Sequence, residues 1–167
     1  MSAILSPCGQ YRYRLERDVQ MEGIVAALFG VNPSTADAEL NDATIRKDIG
    51  FAKVHGWRRI IKGNVCAYRA TDVRELATAM IMPSAYLENL GHLQTIIADA
   101  DILVPCWGRR SKMPLHMRHD MDRVMELLVI SGKPVFHFGQ TACGQPKHPL
   151  MLGYDTPLTP WAPGGAP

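Results

Sequence analysis

Residues 23–37, "GIVAALFGVNPSTAD", carry the reading of the fold. Positions 23–31 form a continuous apolar run of strand length, which stops at an Asn-Pro step followed by small polar residues. A strand that is apolar at every position, not at every second one, is covered on both faces, as parallel strands in α/β proteins are. The Asn-Pro-Ser tip then falls at the carboxyl end of that strand, where open α/β sheets place their ligand crevices. The same tripeptide is also an ordinary turn and helix cap, so this stretch alone leaves both readings open.

On the upstream side, "QYRYRLER" (10–17) alternates as an edge strand does. Downstream of Asp42, Ile45, Ile49, Phe51, Ala52 and Val54 recur at roughly helical spacing until "HGW" (55–57), and "RRIIKGNVCA" (58–67) reads as a second strand. Two helices are expected next, "DVRELATAM" (72–80) after an Asp72 cap and "SAYLENLGHLQTIIADA" (84–100) after a Ser84 cap. "DILVPCWG" (101–108) reads as a third strand, "PLHMRHDMDRVMELLVISG" (114–132) as a helix with Pro near its start and Gly past its end, and "KPVFHFG" (133–139) as a fourth strand. This alternation predicts an α/β fold, a three-layer α/β/α sandwich around a central, mainly parallel four-stranded sheet with right-handed crossovers. One domain is expected over 1–161, with "APGGAP" (162–167) as a frayed tail.

Composition narrows the function classes. A chain of 167 residues with 47% hydrophobic content suits a globular fold and excludes fibrous and disordered classes. The net charge of +2 and a pI near 8.4 do not by themselves indicate a nucleic-acid partner. Cys8, Cys66, Cys106 and Cys143 lie far apart with no CxxC pair, which argues against a zinc knuckle or a disulfide scaffold and suits a reducing cytoplasm. No apolar run approaches the roughly 18 residues of a membrane span. His116 and His119 stand three apart on a helix, but no third ligand accompanies them, so neither a metal nor any other cofactor is expected.

In a parallel sheet the polar residues just after each strand gather at one edge. Here these are "NPSTAD" (32–37), "NVCAYRATD" (64–72), "WGRRSK" (107–112) and "GQTACGQPKHP" (139–149). Nearly the whole chain resembles the bacterial and phage family called domain of unknown function 1643, through "NPSTAD", "DATIR" (42–46), "NVCAYRATD", "CWG" (106–108) and "GQPKHPL" (144–150). More distantly, the motif order resembles the uracil-DNA glycosylase superfamily. Its G-x-N-P-G/S loop corresponds to "GVNPS" (30–34), its strand-end Asn to Asn64, its Trp-Gly strand end to "LVPCWG" (103–108) and its His-Pro loop to "KHPL" (147–150). That superfamily usually continues its last loop as His-Pro-Ser-Pro or Asn-Pro-Ser, with a Leu that helps expel the base. This chain reads "HPLML" instead.

The resemblance implies cleavage of an N-glycosidic bond, through an oxocarbenium-like sugar and a departing base that gathers negative charge. Asn32 would orient the attacking water and His148 would donate a hydrogen bond to the base oxygen. Asp37 and Asp42 stand as alternative general bases, or equally as helix-cap residues. Substrate contacts are expected from Gly30, Pro33 and Ser34 of the first loop and from Asn64, whose amide can pair with a base edge. Tyr68, Phe51 and Trp57 are candidates to stack on the base, while Trp107 reads as core packing. Arg46, Arg109 and Lys147 are candidate phosphate contacts, and Arg109, Arg110 and Lys112 are expected to flank the cleft. Three readings follow: a glycosylase-like enzyme acting on a base in DNA, an enzyme acting on a free nucleotide, nucleoside or modified base, and a catalytically inactive nucleic-acid-binding module. DNA or a nucleotide or nucleobase is the expected partner.

Overall fold

The computed structural model describes residues 1–161; the expected tail at 162–167 lies outside them. The described residues form seven strands, β1 (Ser2–Leu5), β2 (Arg12–Asp18), β3 (Ile24–Gly30), β4 (Trp57–Asn64), β5 (Ile102–Pro105), β6 (Phe136–His137) and β7 (Thr159–Pro160). Three α-helices accompany them, α1 (Ala43–Val54), α2 (Pro83–Asp99) and α3 (Arg118–Ile130). The apolar run at 23–31 becomes β3, hydrogen-bonded between β4 and β5 and parallel to both.

The central sheet is mixed, in the order β1-β2-β4-β3-β5, with β2 antiparallel to β4 and β1 antiparallel to β2. This corrects the expected four-stranded parallel sheet in two places. β2 is not an edge strand, because β1 pairs with its outer side, and Arg12 and Arg17 are buried through hydrogen bonds to the loop at 36–41 and, for Arg12, to Asn64. The segment 133–139 is not a full fourth strand. It makes one parallel bridge, Val135 to Leu103, then pairs through β6 with β7. Pro134 explains part of this: its carbonyl accepts from the Leu103 N–H at 3.0 Å, but it has no N–H to extend the ladder.

Helix starts also differ from expectation. The segment 72–80 forms only a short 3-10 helix over Val73–Ala77, held by an Asp72/Glu75 capping box. α2 begins at Pro83, with Met82 and not Ser84 at the cap position, because proline suits the first helical turn, where its missing N–H would lack a partner anyway. A 3-10 turn at Leu115–Met117 precedes α3.

β3 explains the layering. Its residues Val25, Ala27 and Phe29 pack against Leu93, Ile96 and Ile97 of α2 and Met121, Val124 and Leu128 of α3. Ala26 and Leu28 pack on the opposite face against Phe51 and Ala52 of α1, with Trp57, Ile60, Val104 and Phe138. On β4, Gly63 lets α2 close onto the sheet, since a Cβ there would lie 2.9 Å from Leu93 Cδ2 and 3.1 Å from Ile96 Cδ1. Helices therefore cover both faces, which leaves the carboxyl ends of β3, β4 and β5 as the place where polar loops meet.

Candidate functional site

A cavity of about 540 Å³ opens at that edge. Its walls are the loops after β3 and β4, the segment after β5, the start of α1 and the loop carrying His148. Backbone hydrogen bonds join these loops. Val65 N–H donates to the Gly30 carbonyl at 2.9 Å, Cys66 N–H to Val31 at 2.8 Å and Ala70 N–H to Pro33 at 2.9 Å. Across the cleft, Gly108 N–H donates to the Pro146 carbonyl at 2.9 Å, and Trp107 Nε1–H to Gln145 Oε1 at 2.8 Å. Gly108 has φ +81, and a Cβ on it would lie 3.5 Å from His148 Cβ, so glycine meets both the turn and the close approach.

All four polar segments contribute to this cavity. Gly30, Asn32, Ser34, Asp42, Asn64, Lys112 and His148 line it. Asn32 is partly committed within the loops: its Nδ2 donates to the Ala70 carbonyl at 2.7 Å and the Pro33 carbonyl at 3.0 Å, which leaves its carbonyl oxygen for a ligand. Asp42 caps α1 by accepting from Ile45 N–H at 2.8 Å through one oxygen. Pro33 is buried beneath the loop.

Other expected residues lie outside the lining. Asp37 accepts from the Glu39 and Leu40 N–H groups, each at 2.9 Å, and these bonds hold its carboxyl below the usual range. Arg46, Arg109 and Lys147 are exposed and do not line the cavity, and Arg110 is ion-paired with Asp122. Tyr68 packs edge-on against Tyr11, and Phe51 and Trp57 are buried in the α1-side core. Trp107, read from sequence as core packing, is nearly fully buried yet reaches the cavity wall.

The sequence reading missed the floor. Lys62 of β4 lines the cavity with its side chain 4% exposed, donating to Asp48 Oδ2 of α1 at 2.9 Å and to Cys106 Sγ at 3.5 Å. Burial works against the charged ammonium, but Asp48 and Cys106 outweigh it, and Lys62 stays cationic. Arg12 donates through Nη1 to the Ala36 carbonyl at 2.9 Å and through Nη2 to Asn64 Oδ1 at 3.1 Å. Burial lowers this guanidinium to about 10, still far above neutrality. The Arg12 contact sets the orientation of Asn64: its oxygen is occupied and its NH2 is the half left to meet a ligand. Sequence signals for this floor existed. Lys62 and Asn64 are two apart in a strand and so share a face, and Asp48 follows Ile45 by three on the inner face of α1.

His148 is the most perturbed imidazole lining the cavity. Burial, then the nearby charges of Lys62 and Lys112, lower it to about 4, so it is neutral at pH 7. Its Nδ1 accepts from Leu150 N–H at 3.3 Å, so the ring proton resides on Nε2 and can be donated.

The fold is α/β, with a polar-lined cavity at the carboxyl edge of the parallel strands of a mixed sheet. The chain belongs to the family described as protein of unknown function (DUF1643), whose model matches residues 12–150. That span covers β2 through the His148 loop. No curated protein and no solved structure matches the chain. No helix among the described residues is long and apolar enough to cross a membrane.

Proposed function

We propose that this cleft binds a nucleobase and hydrolyses its N-glycosidic bond, in the manner of a uracil-DNA glycosylase acting on a modified or damaged base in DNA. The observation that carries the reading is that His148 and Asn32 line the same cavity although 116 residues separate them in sequence, with His148 Nδ1 accepting from Leu150 N–H so that its Nε2 is the nitrogen left to donate. The cavity volume lies within the roughly 300–1,000 Å³ of small-ligand sites. The Asn32 carbonyl oxygen orients a water toward the anomeric carbon, and the Asp42 carboxylate takes its proton. The water oxygen bonds to the sugar as the sugar–base bond breaks, with its electron pair passing to the base. His148 Nε2–H donates to the base oxygen on which the negative charge gathers. Trp107 is the tryptophan available to line the base pocket.

The free-nucleotide reading is favoured by a separate observation: of the basic residues expected to contact phosphates, Lys112 lines the cleft, whereas Arg46, Arg109 and Lys147 do not. One experiment separates the two. The protein is incubated with oligonucleotides carrying uracil, hydroxymethyluracil, hypoxanthine or a mismatch, and in parallel with the matching nucleosides and nucleotides, and base release is measured. The DNA reading predicts release from an oligonucleotide, abolished by Asn32→Ala and reduced on the order of a hundredfold by His148→Ala. Release from free nucleotides alone selects the second reading, and no release from any substrate overturns both.

A further inference from the structure

Gly30 closes β3 where the cavity floor begins, and the space beside its Cα is bounded by two donors. A Cβ built on Gly30 would lie 2.9 Å from Asn64 Nδ2, 3.5 Å from Lys62 Cε and 3.9 Å from Lys62 Nζ. Asn64 presents its NH2 to this space because Arg12 holds its oxygen. Lys62 uses two of its donor directions on Asp48 and Cys106, and an ammonium has three. Both side chains are nearly fully buried and both line the cavity.

We propose that Lys62 Nζ and Asn64 Nδ2 form an anion-binding subsite over Gly30 that seats a negatively charged oxygen of the ligand. The polar atoms nearest this point, Asn64 Nδ2 and Lys62 Nζ, are both donors, so an acceptor oxygen is favoured there over an amino group. Charge-assisted hydrogen bonds in a water-poor cleft are stronger than neutral ones. Of the acidic groups nearby, Asp48 accepts from Lys62 and Asp72 is engaged by Arg74, whereas Asp42 caps α1 through one oxygen and keeps its charge on the α1 side of the cavity. Lys62 is held cationic by its two partners, so it acts as a fixed positive charge and not as a nucleophile. The subsite stands independently of the N-glycosidic reading. The charged oxygen comes either from a phosphoryl group or from the exocyclic carbonyl oxygen of a base ionised at nitrogen.

The test is a binding titration of the whole protein, with melting curves to confirm folding, using inorganic phosphate, 5-nitrouracil as an anionic base and uracil as its neutral counterpart. Gly30→Ala places one methyl in the subsite and leaves the Lys62–Asp48 pair in place. Lys62→Met strands Asp48, so Lys62→Met/Asp48→Leu, which removes both charges, serves as the charge test. The unmodified protein is expected to bind phosphate, or to bind 5-nitrouracil more tightly than uracil. Each variant is expected to weaken that binding roughly tenfold or more. A response to phosphate identifies the phosphoryl source and a response to 5-nitrouracil the ionised base. Binding of neither anion by the unmodified protein, or equal binding by folded variants, overturns the subsite. Base release measured on the same samples reports the N-glycosidic reading separately, because turnover can fail while anion binding persists.

Discussion

The two faces of the central sheet are built differently although they share the same strands. Toward α2 and α3, β4 and the residue after it present Ile61, Gly63 and Val65, and the buried residues of those helices carry no charge. Toward α1, the same strand presents Ile60, Lys62 and Asn64, and α1 contributes Asp48 to the interior. One face is uncharged, its buried polar side chain being Asn89 of α2, which donates to the Asn64 and Val65 carbonyls, while the other starts apolar and ends in an ammonium and an amide where the cavity opens. Buried charge costs stability unless it is paired, and on this strand the buried ammonium stands where the cavity opens, paired with Asp48.

The sharpest way to break this contrast is to remove one charge. Lys62→Met should destabilise the fold by about 3–5 kcal/mol in urea unfolding, because it leaves Asp48 buried without its partner, and the double variant with Asp48→Leu should recover most of the loss. A single variant as stable as the native protein would show that the pair is not a buried ion pair. On the apolar face, Leu93→Ala should cost about 3 kcal/mol through the cavity it leaves, with ligand binding unchanged. Weakened binding in that variant would erase the distinction between the faces.

The third test is pH. The unfolded imidazole titrates near 6.5, whereas His148 in the fold lies at about 4. Between these values the unfolded chain binds more protons, so stability falls as pH is lowered through this window, by about 2 kcal/mol after allowing for partial exposure, and levels off below it. His148→Gln should flatten this slope in unfolding measured at several pH values, and an unchanged slope would place the titration elsewhere. The smallest effect is expected of Asp42→Ala, which removes the α1 cap and should cost about 1 kcal/mol of thermal stability.

Much of the site edge was legible because strand ends announce themselves. An unbroken apolar run that stops at Asn-Pro marks the carboxyl end before Asn32 and Ser34, Asn64 closes the next strand, and His148 lies in the polar segment after the last apolar stretch. The floor was not legible for the opposite reason. Arg12 alternates with Tyr11 and Tyr13 as a solvent-facing residue of an edge strand would, and it is the Ala36 carbonyl and Asn64, 24 and 52 residues away, that receive it in the interior. Lys62 and Asp48 read as surface charges until β4 and α1 are docked, because the partner that makes each tolerable is 14 residues away in sequence. The segment 133–139 has strand composition, but its pairing was decided by Pro134 and by residues 159–160.

That last pairing has a consequence for the cleft. The chain leaves the sheet after His137, travels through His148 and returns at Thr159, where β6 and β7 pair as Phe136 with Pro160 and His137 with Thr159. Trp161 N–H adds a hydrogen bond to the Val135 carbonyl at 2.8 Å. The excursion is thus a loop fastened at its neck by a two-residue ladder, and such small units open locally at far lower free energy than the sheet. His148 is held from nearby through Gly108 N–H on the Pro146 carbonyl and Lys147 N–H on the Gly139 carbonyl, each at 2.9 Å, and the neck is a second fastening farther along the chain. Hydrogen exchange at Trp161, compared with Gly108 and Lys147, would report whether the neck opens while the bonds nearest His148 stay closed.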